Sequence, residues 1–322
     1  MIKDYTEERD GDMKRILSVE NINEEVSADP RGFAIRSEEY YHRQLAEIAA
    51  QLLRRKEEKP FILISGPSGS GKTTTAHRIE DYINNYGVRT ITISLDDYYL
   101  PIAQRPEFVT DFESPYCVDL ELLRRDLECL RRHEEVTLPR FHFAKQERQQ
   151  GATVRLQDGD MVIMEGLHAL NPLLTEQSLP YATGIYIAPR TRLECEGDLL
   201  QPQQLRLARR MLRDHFFRGR SFEQIVQQAK SVDAGEDRYV RPYKKNAALS
   251  CDTFLDYELG VFAGIMQERG AIARQFDPDF VRENHLEPLL RALEKIRPLP
   301  AEYVPKNSLI REFIGGSSVL NE

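Results

Sequence analysis

Eight residues carry the clearest chemistry in the chain. Gly66-Pro67-Ser68-Gly69-Ser70-Gly71-Lys72-Thr73 fits GxxxxGK[ST] at every specified position. In such a string the glycines allow a tight loop whose backbone N–H groups converge on phosphate oxygens, and the following helix adds its positive dipole end. Lys72 has the charge and reach for the β- and γ-phosphates of a nucleoside triphosphate, and the Thr73 hydroxyl can ligate magnesium. Thr74, next in line, extends the set of expected nucleotide contacts. Two carboxylates complete the chemistry. Glu165 ends the apolar run Met161-Val162-Ile163-Met164 and reads as the acid that holds magnesium, with a solvated strand end as the bland alternative. Asp96 ends the run Thr90 to Ser94, where it could accept a proton from an attacking hydroxyl and approach the metal; the alternative is a loop-capping aspartate.

A third group of candidates lies between Gln204 and Gln228. At helical spacing Leu205, Ala208, Leu212 and Phe216 form an apolar stripe, Arg206, Arg210 and Arg213 a basic one beside it, and Arg218-Gly219-Arg220 follows at a break. Arginines on a hinged helical pair suit a lid that neutralises charge on a transferred phosphoryl group; a solvated basic face is the competing reading.

These residues need strand ends and helix starts to hold them. Phe61-Ile62-Leu63-Ile64 is a short buried strand before the glycine loop, and Lys72 to about Tyr86 a helix after it. Thr90 to Ser94, Met161 to Met164 and Gly184 to Ala188 are further strands, alternating with helices such as Asp119 to Arg132. That alternation predicts an α/β sandwich of three layers with a mainly parallel sheet, carrying the helical Arg-rich lid. Polar and apolar residues alternate from 136 to 159 around Gly151, which predicts an inserted β-hairpin. Residues 1 to about 36 lack a clear period, and an amphipathic helix is expected to start with Ser37 as its cap and run to about 56. The expected organisation is an N-terminal extension over 1–57, a nucleotide-binding domain over 58–275, and a C-terminal helix and tail over 276–322 that either docks or frays.

Composition narrows the class. A net charge of −8 argues against a nucleic-acid-coating surface, and no apolar run approaches the about 20 residues of a spanning helix, so a cytoplasmic protein with neither nucleic acid nor membrane as partner is expected. The four cysteines, Cys117, Cys129, Cys195 and Cys251, form no CxxC pair and read as buried free thiols. Neither DxxG nor NKxD follows the glycine loop, which disfavours a regulatory GTPase. A nucleotide-binding regulator without activity would have no use for a proton acceptor, and the chain keeps Lys72, Thr73, Asp96, Glu165 and Arg213 together.

Several ordered strings resemble the uridine kinase and phosphoribulokinase family of P-loop kinases, especially its bacterial uridine-kinase-like nucleoside kinases. They are GPSGSGKTT, SLDDYY, DFESPYCVDLELL, LPRFHF, VIMEGLHALN, RRMLRDHFFRGRSFEQIV, YVRPYKKNA, TFLDYEL and VPKNSLIREFIGGSS, spread from about residue 58 almost to the end. The resemblance implies a P-loop NTPase fold, ATP and Mg2+ as cofactors, a small-molecule alcohol as substrate, with a nucleoside 5′-hydroxyl foremost, and in many members a homo-oligomer. It implies Asp96 as the catalytic carboxylate and Arg210, Arg213, Arg218 and Arg220 as lid arginines around the phosphates. It places Glu113, Phe141, Arg148 and Gln228 near the acceptor, with Tyr98 expected beside them; His142 and His168 are candidate contacts whose alternatives are an ordinary hairpin histidine and local packing. The family's PxYDF string stands here as Pro139-Arg140-Phe141-His142-Phe143 with Gln146 at a histidine position, and its FDHPD as Phe112 to Tyr116, so Glu113 replaces an aspartate. These departures leave another alcohol, such as a sugar phosphate or a vitamin precursor, open as acceptor.

Overall fold

The computed structural model describes residues 5–7, 13–143, 145–176, 178–269 and 276–319. Its centre is a five-stranded parallel sheet. Strand β3 (Phe61–Ser65) lies in the middle, between β8 (Ala182–Ala188) and β7 (Met161–Glu165), with β11 (Leu249–Asp252) outside β8 and β4 (Thr90–Ser94) outside β7. Strands β3, β7 and β8 are buried at every position, as near-continuous apolar runs in a sheet covered on both faces should be. Alternate residues feed two cores. Ile62, Ile64, Met161, Ile163, Ile185 and Ile187 join a layer that includes α2 (Pro30–Arg54), α3 (Lys72–Asn85) and α8 (Glu258–Glu268). Phe61, Leu63, Ile91, Ile93, Val162 and Met164 pack with α4 (Leu120–Arg131) and with the hairpin β5 (Val136–His142) and β6 (Glu147–Val154). The three-layer α/β sandwich and its inserted hairpin are therefore observed.

The first part of the chain differs from expectation. A strand, β2 (Met13–Ser18), and a helix, α1 (Val19–Ala28), occupy the stretch without a visible period. The following helix starts at Pro30, with the Asp29 side chain accepting from the Gly32 amide at 2.9 Å, so Ser37 is no cap. Ser37 is buried within α2, and its hydroxyl accepts from the Asp256 amide at 2.8 Å. Strand β2 pairs in parallel with β9 (Arg192–Cys195), which forms a small hairpin with β10 (Asp198–Leu200); β1 (Tyr5–Glu7) lies on its other side. Residues of β2, α1 and α2 share one core with β3 and α3.

Past the single turn α5 (Pro172–Thr175) and the strands β8 to β10, helices α6 (Pro202–Arg218) and α7 (Phe222–Tyr239) form the expected pair, broken at Gly219, whose φ of 65° ends α6, and restarted by a capping box at Ser221. Near the C-terminus follow α9 (Pro278–Glu283), α10 (Glu287–Lys295) and the single turn α11 (Arg311–Ile314). The cysteine expectation needs one amendment: Cys117, Cys195 and Cys251 are buried free thiols, whereas Cys129 is only partly covered. Among the described residues no helix is long and apolar enough to cross a membrane.

Candidate active site

The carboxyl ends of β3, β4 and β7 converge, and a cleft of about 310 Å³ opens there. Its lining includes Gly69, Lys72, Thr73, Asp96, Glu165 and Arg213. The glycine loop joins β3 to α3. Gly71 caps α3 with a φ of 84°, and a Cβ there would stand 2.6 Å from the Leu309 side chain; a Cβ on Gly66 would stand 1.9 Å from the Ile187 carbonyl oxygen. Both positions exclude any larger residue. Lys72 Nζ donates to the Pro67 carbonyl at 3.2 Å, which folds the ammonium back over its own loop. The Ser70 hydroxyl is buried without a partner, a donor that a bound phosphate would satisfy.

The two acids sit on neighbouring strand ends. Glu165 is 4% exposed and pairs in register with Ile64 on one side and Ser94 on the other, whose hydroxyl donates to it at 2.7 Å. Burial first, and then the nearby Asp96 carboxylate, push Glu165 up to about 7. Asp96 presents its carboxylate to the cleft; the surrounding protein atoms raise its carboxyl above the ordinary range, Lys72 draws it back and Asp97 adds to the rise. Asp97 turns away and accepts from the Phe141 amide at 3.0 Å, tying the hairpin to the end of β4. Two crowded carboxylates beside a threonine hydroxyl are an oxygen-donor set that a divalent cation would relieve, so the residues fit Mg2+.

The basic stripe is not a solvated face. Arg206 and Arg210 are each 4% exposed and Arg209 is fully buried. Arg206 donates to the Ser68 carbonyl at 2.9 Å and pairs with Glu236 at 2.9 Å, while Glu236 accepts from the Ser68 amide at 2.6 Å. Arg209 donates to the Gly69 carbonyl at 3.1 Å and pairs with Glu258 at 2.8 Å, so the helical pair grips the loop from outside. Burial lowers Arg210, with Arg213 and Arg206 adding to the fall, and its Nε has no partner. Arg213 and Arg218 line the cleft and both bond Asp214, at 2.8 and 3.1 Å. Unmet cationic capacity here suits a polyanion.

Other expected residues stand elsewhere. Tyr98 is fully buried on the sheet side and donates to Asp126 at 3.1 Å, so it is no part of the cleft; Tyr99 lines it instead. Residues 95–98 form a 3-10 turn, in which side chains three apart align, and this carries Tyr99 to the side of Asp96. Thr74 is buried, its hydroxyl given to Glu312 at 3.0 Å. Arg220 bonds Gln228, which is exposed on α7 away from the cleft lining. Arg148 pairs with Asp119 at 2.8 Å, Phe141 is buried against Tyr99 and Phe143, and His142 is exposed. His168 is 2% exposed, and burial lowers it to about 4, so its ring is neutral at pH 7. Glu113 lines the cleft, raised to about 7 by burial and then by Glu236. Sequence reasoning missed Tyr99, Arg209, Glu236 and Glu312; the last lay in plain view in the REFIGG string.

The family model for the phosphoribulokinase / uridine kinase family matches residues 61–257, more than half of the chain. The chain belongs to this family. Among members of that family, a uridine kinase from Ureaplasma parvum is 31% identical over 194 residues, 59% of this chain and 86% of the relative. A uridine kinase from Saccharomyces cerevisiae is 27% identical over 271 residues, 81% of this chain and 48% of the relative. The structure of a proposed fructose transport system kinase from Silicibacter sp. TM1040 aligns with a TM-score of 0.51 at 22% identity, covering 64% of this chain and 98% of that one, which speaks to the fold alone. Membership of the phosphoribulokinase / uridine kinase family makes the chain a phosphotransferase that uses ATP on a small molecule.

Proposed function

We propose that the chain transfers the γ-phosphoryl group of ATP to the 5′-hydroxyl of a nucleoside of the uridine or cytidine type. The observation that carries this reading is the meeting of Lys72, Thr73, Asp96 and Glu165 in one cleft with Tyr99 and Glu113. The glycine loop and Lys72 hold the β- and γ-phosphates. Thr73, Asp96 and Glu165 would hold Mg2+, which when bound neutralises charge on the transferring group. Asp96 accepts the proton of the attacking hydroxyl, and burial raises its carboxyl above the ordinary range, which strengthens it as a base. Arg213 and Arg218 face the charge that develops in transfer, with Arg210 behind them. Tyr99, Glu113 and the hairpin aromatics form the acceptor end.

A second reading keeps this chemistry and changes the acceptor to a sugar phosphate or another small alcohol. What favours it is that Arg148, Gln228 and His142 are committed to Asp119, to Arg220 and to solvent. ADP release from Mg·ATP with a panel of nucleosides, sugar phosphates and small alcohols separates the two. Stimulation by uridine or cytidine supports the first reading; turnover with another alcohol and none with nucleosides replaces it by the second.

A further inference from the structure

The family model matches no further than residue 257, yet the cleft lining reaches beyond it to Glu312. Residues 305–316 return across the molecule as a strap over α3 and α6. Leu309, Ile310 and Phe313 are fully buried, and Arg311 clamps the turn by donating to the Val304 carbonyl at 2.6 Å and the Ala301 carbonyl at 2.9 Å. Arg78 of α3 donates to the Asn307 carbonyl at 2.6 Å, and the Ser308 and Tyr257 hydroxyls lie 3.0 Å apart. The strap then touches the phosphate machinery at three points. Leu309 packs under Gly71. Phe313 lies beneath two guanidinium groups, its ring centre 5.2 Å from that of Arg209 and 5.9 Å from that of Arg213. Glu312 reaches into the cleft lining, accepts from Thr74 at 3.0 Å and stands 4.0 Å from Arg213.

Packing alone accounts for Leu309, Ile310 and Phe313, but not for a carboxylate at a phosphate cleft. A carboxylate there opposes a polyanion, a cost that purely structural anchoring has no reason to carry. It gains a purpose from its neighbours. Asp214 takes the Arg213 Nε at 2.8 Å, which leaves the far end of the guanidinium turned between Glu312 and the cleft. We infer that the C-terminal strap is a working part of the phosphate site, and that Glu312 is a positioning residue that aims Arg213 and anchors Thr74 in the first turn of α3. The inference rests on the kinase reading above, in which Arg213 faces the transferring phosphoryl group.

The test compares Arg213→Ala, Glu312→Ala, Glu312→Gln and the Arg213→Ala/Glu312→Ala double variant in the full chain, reading kcat, the KM for ATP and thermal midpoint. Loss of the aimed guanidinium should lower kcat by about 10²-fold or more. Loss of its aim in Glu312→Ala should cost about tenfold in kcat, with the KM for ATP within about twofold. Glu312→Gln, which keeps the shape and an acceptor for Thr74, should show an intermediate kcat at an unchanged midpoint. The double variant should be no slower than Arg213→Ala alone, because the effect of Glu312 on kcat runs through Arg213 while its bond to Thr74 bears on stability. Two losses that multiply, or a Glu312→Ala enzyme with a lowered midpoint and unchanged kcat, would overturn the inference while leaving the kinase reading in place. An Arg213→Ala enzyme of unchanged kcat would instead break the kinase reading at the lid, and the strap's role with it.

Discussion

The two ends of the cleft are built differently. At the phosphate end charged side chains are buried and bonded several times over: Arg209 and Glu258 are fully buried, Arg206 joins Ser68, Asp233 and Glu236, and the loop is gripped through its carbonyls. At the proposed acceptor end side chains are more open: Phe143 is 51% exposed with its ring 5.6 Å from that of Tyr99, and on the adjoining loop Phe112 is 62% exposed with Arg105 over its ring at 4.8 Å. Fixed dipoles and charges are worth most where charge develops and must not reorganise during transfer. An acceptor is recognised by loops that vary without disturbing that frame. The contrast separates a fixed phosphate frame from an acceptor end that is free to vary.

Mutations at the two ends should therefore differ in size and in the constant they move. Lys72→Ala should abolish most turnover, by about 10³-fold, and weaken ATP binding in calorimetry; normal use of ATP by this variant would remove the phosphate end from the account. Tyr99→Ala should raise the acceptor KM about tenfold and leave the KM for ATP unchanged, as expected for a contact confined to acceptor binding. Tyr98→Phe sharpens the assignment between the two tyrosines. It should leave both KM values alone and lower unfolding free energy by about 1 kcal/mol, the worth of one buried hydrogen bond to Asp126.

The smallest effect concerns pH. Glu113 stands at about 7 in the folded chain against an ordinary 4.5, so folding opposes its charge, and that penalty is absent below pH 4.5 and complete above pH 7. Glu113→Gln removes it. The variant should gain about 2 °C in thermal midpoint at pH 8 relative to the parent and gain nothing at pH 4.5; equal gains at both would mean that Glu113 carries its charge freely.

Much of the phosphate end was legible because its residues follow local rules. The glycine loop has its own spacing, Glu165 announces itself by ending a buried apolar run, and Asp96 by following the end of the neighbouring strand. The lid helices were visible in their stripe, although no spacing could tell that Arg206 and Arg209 would turn inward to bond the loop. Tyr98 and Tyr99 were exchanged because a 3-10 turn replaces strand alternation after Ser94. The start of α2 was hidden by Pro30 and Gly32, residues that break helices elsewhere but fit a first turn capped by Asp29. Glu312 meets Thr74 across 238 residues of sequence, and no local pattern encodes that contact.

The central claim is that Asp96 takes the proton from an acceptor hydroxyl held beside phosphates bound by the glycine loop. Single-turnover transfer from γ-labelled ATP to uridine, measured for Asp96→Asn beside the parent with ATP binding checked in each, tests it most directly. The account predicts a fall of about 10² to 10⁴ in the transfer rate with ATP binding preserved. Transfer within a few-fold of the parent, with ATP still bound, would contradict it.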